Sequence, residues 1–155
     1  MGRFVNSGNS AFQVALNSEI YVDKTGLLAY TNKVMDTTAK FICNSRPRRF
    51  GKSITITADM LTAYYCKNCN SEEMFSSLEI GQAPGFTKYL NQYDVIHLDI
   101  QWCMEPAGGP ENVVSYITEK TILELRNYYP EILPDSISSL PEALSCITLP
   151  LVKSS

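Results

Sequence analysis

No apolar run in these 155 residues approaches the ~18 needed to cross a bilayer, and residues 1–20 are too interrupted by polar side chains to form a secretory signal. Both absences point to a cytoplasmic chain without a membrane partner. Histidine occurs once, at His97 inside an apolar stretch, which suits a packed or hydrogen-bonded side chain better than a catalytic one. Charge is sparse at 19% of residues, and the net charge of −3 excludes a nucleic-acid polycation. Five cysteines, Cys43, Cys66, Cys69, Cys103 and Cys146, make an odd set, with reduced thiols the default in a cytosolic protein. Cys66-Lys-Asn-Cys69 lacks the second pair a zinc site needs. It also ends a helical pattern, whereas a redox motif sits between a strand and a helix, so a structural role is favoured. There is no repeat, low-complexity tract or linker, and residues 1–155 read as a single domain with 45% apolar content.

Positive charge is concentrated in one place. Phe41-Ile-Cys-Asn-Ser-Arg-Pro-Arg-Arg-Phe-Gly-Lys-Ser53 runs from an apolar segment through a basic turn into a helical pattern. Strand, loop, Gly-Lys-Ser and helix is the order of a phosphate-binding loop. In that reading the Lys52 ammonium pairs with phosphate oxygens, the Ser53 hydroxyl ligates Mg²⁺, and backbone N–H groups at the helix start donate hydrogen bonds to anionic oxygen. Arg46, Arg48, Arg49, Phe50 and Gly51 complete the binding segment. The usual first glycine is replaced by Arg46, followed by Pro47, which stiffens the loop.

Tyr21-Val-Asp-Lys-Thr25 and Arg46-Pro-Arg-Arg-Phe-Gly-Lys-Ser53 together resemble the AAA-ATPase-like family of bacterial proteins. Softer matches are Met74-Phe75, Leu78-Glu-Ile80 and Tyr93-Asp-Val-Ile-His-Leu-Asp-Ile100, so the resemblance spans about Gly8 to about Leu144. It implies an ATPase-like region, which in many members precedes a domain resembling PD-(D/E)XK nucleases. It also implies that the missing glycine is the family's own variant, and that Asp23 and Lys24 lie near the nucleotide unless Asp23 simply caps a helix.

The patterns predict helices from about Lys24 to Lys33, Lys52 to Cys66, Glu72 to Leu78, Pro110 to Tyr129, and one opening at Ser139-Leu-Pro-Glu142. Val114, Ile117, Thr121, Leu125 and Tyr128 form the expected inner face of the long helix. Apolar runs predict strands at 39–45 and 94–100. The expected fold class is therefore α/β: a P-loop NTPase-like three-layer core with a parallel sheet, incomplete at the C-terminus. Hydrolysis also needs an apolar strand ending in Asp, often followed by Glu. Val95-Ile-His-Leu-Asp99 ends in Asp but continues into Ile100, so Asp99 is first a strand-end residue and second an Mg²⁺ ligand. The family's acidic strand comes later, where this chain ends, and the chain reads as a truncated member.

The expected function is ATP binding with Mg²⁺, hydrolysis being weak or absent. The alternative is a nucleic-acid-binding or protein-interaction module using the arginine-rich loop, with a protein partner or a missing C-terminal domain completing it.

Overall fold

A computed structural model describes residues 2–45 and 52–148, with side chains from Ile56 onward in the second segment. Among the described residues the regular elements are helices. The α-helices are α1 (Ser10–Leu16), α2 (Gly26–Val34), α3 (Lys52–Tyr65), α4 (Glu72–Ser76), α5 (Phe86–Tyr89), α6 (Ile100–Ala107), α7 (Val113–Tyr128) and α8 (Leu140–Thr148). Short 3₁₀ turns occur at Thr38–Lys40 and Glu79–Gln82.

The expected parallel sheet is absent from the described residues. Backbone pairing there is limited to single bridges, Val5 with Ile96 and Cys66 with Tyr93. Residues 41–45 are irregular and exposed, and Phe41 is 85% exposed. A strand is stabilised by its neighbours, and neither apolar run finds a strand to pair with. The second run becomes a loop that turns helical at Ile100.

The chain divides into two compact units, Asn6–Val95 and Gly2–Val5 joined by residues from Ile96 onward. In the first, Phe12, Leu28, Met60, Ala63, Tyr64, Phe75 and Ile80 are buried. Met60, Ala63 and Tyr64 follow the three- and four-residue spacing that puts them on one side of α3. Phe12 stacks on Phe75 with centroids 5.1 Å apart, and Tyr64 meets Phe75 edge-on at 5.3 Å. Burying each such ring contributes about 2 kcal/mol.

Polar atoms in this core are paired. Tyr64 donates its hydroxyl to the Phe86 carbonyl at 2.8 Å, and Tyr65 donates to Asn32 Oδ1 at 2.6 Å. The end of α3 is closed by Asn91, whose backbone is left-handed at φ 55°. Asn91 Nδ2 donates to the carbonyls of Ala63 at 3.1 Å and Cys66 at 2.9 Å, satisfying acceptors the helix cannot pair internally.

In the second unit, Val5 packs with Ile122, Leu125, Leu133, Ile137 and Ala143, while Phe4 packs with Cys103, Val113 and Ile117. The long helix begins at Val113 rather than Pro110, and its buried side is Val113, Ile117, Thr121, Ile122 and Leu125. Val114, placed on that side from the sequence, is instead 72% exposed. α6 stops at Gly108, whose φ of 78° lets the Gly109 amide reach back to Met104 at 3.1 Å.

Candidate functional site

Lys52 opens α3 and Ser53 lies in its first turn, at the predicted boundary. Arg46, Arg48, Arg49, Phe50 and Gly51 lie outside the described residues. Asp99 is the N-cap of α6, and its carboxylate accepts the Trp102 amide at 2.9 Å. The expected Mg²⁺ role for Asp99 is thereby replaced by a capping role. Among the described residues no group of three or more His, Cys, Asp or Glu side chains is arranged to hold a metal.

The Tyr21-Val-Asp-Lys-Thr25 segment has a defined structural task. Asp23 Oδ1 accepts the Thr25 amide at 2.8 Å and the Thr25 hydroxyl at 2.7 Å, and Oδ2 accepts the Glu79 amide at 2.7 Å. Thr25 Oγ1 in turn accepts the Ile80 amide at 3.1 Å. Burial alone would push the Asp23 carboxyl up, but the hydrogen bonds from Glu79 and Thr25 more than offset it and hold the group below its usual range. Asp23 does not cap α2 directly: Thr25 occupies the N-cap position. The segment is instead fastened to the 3₁₀ turn at Glu79–Gln82.

That fastening orients what lies before it. Between α1, the segment Ile20–Lys24 and α3 is a cleft of about 190 Å³, whose apolar lining includes Ala15, Ile20, Val22, Ile56 and Met60. Ile20 is 84% exposed and Val22 65%. Ser18, Tyr21, Lys24 and Thr57 supply the polar part of the lining. Burial, then the nearby Asp23 charge, raises the Tyr21 pKa above its ordinary value. The side chains in this lining are suited to non-covalent binding of an aliphatic group beside a polar rim.

The family model described as Predicted AAA-ATPase matches residues 8–143, and the chain belongs to that family. A search of curated proteins and of solved structures found no match. Membership does not bring the architecture that the resemblance implied. A phosphate-binding loop is presented at the end of a strand within a sheet, and the described residues contain neither that strand nor a sheet. The P-loop ATPase reading, with ATP and Mg²⁺ as cofactors and a nucleotide as partner, is corrected on that ground. No described helix is long and apolar enough to cross a membrane.

Sequence reasoning missed the cleft. Ile56 and Met60 lie within the helix predicted from Lys52 to Cys66. Ile20 and Val22 carried a weaker signal, two aliphatic residues alternating through a polar segment, which by itself does not separate a core position from an exposed one.

Proposed function

We propose that this chain is a binding module that takes an aliphatic polypeptide segment into the cleft between α1, Ile20–Lys24 and α3. The observation that carries the reading is the exposure of Ile20 and Val22 on a segment anchored by Asp23 and Thr25. Aliphatic side chains held outward beside a cleft are a mark of contact surfaces. Lys52 and Ser53 open the helix that supplies Ile56 and Met60, and Arg46, Arg48, Arg49, Phe50 and Gly51 precede it in sequence. We keep these seven as proposed ligand contacts, their cations favouring a segment with carboxylates beside its aliphatic residues. A cytoplasmic setting belongs to the same reading and is supported by the free thiols.

The test is selection from a displayed peptide library on the full chain, with each enriched peptide then measured on the double variant Ile20→Asp, Val22→Asp. Expected are peptides sharing an aliphatic pattern, with affinity at least tenfold weaker on the variant. Equal binding to both proteins, or no enriched pattern, overturns the reading.

A further inference from the structure

Beside its buried side, α7 carries a second row of side chains. Val114, Thr118, Ile122 and Arg126 recur every four residues, so they follow one side of the helix for about 18 Å. Residues 135–138 form a facing wall, and row and wall enclose a groove of about 430 Å³. Ile122 and Ile137 reach the groove from the apolar cluster beneath and supply its floor. Val114, at the start of the row, is largely exposed. Thr118 and Ser138 are short, which leaves room above the floor for side chains from elsewhere.

Arg126 is committed to building the wall. Its Nη2 donates to the carbonyls of Ile137 at 2.6 Å, Asp135 at 3.0 Å and Pro134 at 3.4 Å. Its Nε lies 3.9 Å from the Asp135 carboxylate. With that guanidinium spent on the wall, the charge left along the groove is negative. It comes from Glu119 on α7 and Asp135 opposite, both with exposed side chains. Glu119 meets its neighbour Lys120 at 3.4 Å, an exposed pairing of the weak kind. The surrounding sequence has the same sign: residues 96–155 hold eight Asp and Glu against three Lys and Arg.

We infer that this groove receives an amphipathic helix of a partner protein, with aliphatic residues on its inner side and Lys or Arg beside them. A row spaced by four residues accepts the four-residue ridge of a second helix, and about 18 Å takes about three turns of it. Charge decides among the possible occupants. A second copy of this chain brings the same carboxylates against Glu119 and Asp135, and an anionic lipid surface is repelled by both. A basic helix is attracted.

The experiment presents the full chain to a displayed library of helix-forming peptides in which aliphatic and charged positions vary independently. Enriched peptides are labelled and titrated by fluorescence anisotropy at low and high salt. The proteins compared are wild type, Val114→Lys, and the double variant Glu119→Gln, Asp135→Asn. All three positions are exposed, so both variants leave the buried clusters intact. Expected are helices with aliphatic residues four apart and flanking Lys or Arg, bound at least tenfold more weakly by Val114→Lys. The double variant should bind about threefold more weakly, with the difference closing at high salt. The inference is overturned if no enriched peptide both carries this basic pattern and loses affinity on Val114→Lys. Equal affinity of wild type and the double variant at low salt overturns it too. Sedimentation of the chain alone is the last arm: a dimer lost in Val114→Lys would give the groove to a second copy instead.

Discussion

The Glu124 carboxylate on α7 accepts the Val5 backbone amide at 2.8 Å, and the same carboxylate takes the amides of Phe4 at 2.8 Å and Arg3 at 2.9 Å. Three successive N–H groups thus converge on one side chain, which fixes Val5 at the centre of its apolar cluster. Glu124→Ala would leave those donors without their acceptor, at a cost of about 2–3 kcal/mol. Chemical denaturation of wild type and variant checks this, and a difference under about 0.5 kcal/mol would remove the clasp from the list of stabilising contacts.

Asp23 supplies a pH signature. Its carboxyl is held below the ordinary value, so its contribution to stability is complete above about pH 4 and is lost as pH falls through the lower folded-state value. Asp23 is exposed, and solvent screening keeps the contribution near or below about 1 kcal/mol. The stability gap between wild type and Asp23→Asn should be flat from pH 5 to 8 and narrow under acid. A gap that instead widens on acidification contradicts the assignment.

Asn91 combines a left-handed backbone with side-chain hydrogen bonds, and two substitutions separate them. Asn91→Gly keeps the backbone conformation and loses the bonds to Ala63 and Cys66, costing about 1–3 kcal/mol. Asn91→Ala loses the same bonds and adds backbone strain of about 1 kcal/mol. Thermal unfolding should rank wild type above glycine above alanine, and an alanine variant as stable as the glycine one would show the strain to be negligible.

Cys69 should be slow to alkylate at neutral pH. Burial first, then the hydrogen bond and charge of Cys66, push its thiol up to about 12. The reactive thiolate fraction therefore rises about tenfold per pH unit between pH 7 and 10. Peptide-resolved alkylation rates on the native chain measure this directly; a rate that levels off below pH 9 is incompatible with the environment described.

The helices were readable where one periodicity dominated. α3 opens at Lys52 as its pattern indicates, and Ile117, Thr121 and Leu125 are buried on α7. The apolar runs 39–45 and 94–100 misled because a continuous apolar run looks the same whether or not a neighbouring strand pairs with it. The second run also hid a local cue: Asp99 before Ile100 is an N-cap signal, and the strand reading overrode it. The cleft was illegible because the segment carrying Ile20 and Val22 is fastened through a hydrogen bond from Glu79 to Asp23, residues 56 positions apart. No local window contains both partners.

Trp102 is the chain's single tryptophan, and the Arg3 guanidinium lies 3.3 Å from the centre of its ring. The cation and the indole therefore constitute an intrinsic optical gauge. Emission from this one fluorophore reports whether the segment leading into Val5 is seated, so release of the N-terminal segment can be followed in unlabelled protein by colour and intensity alone.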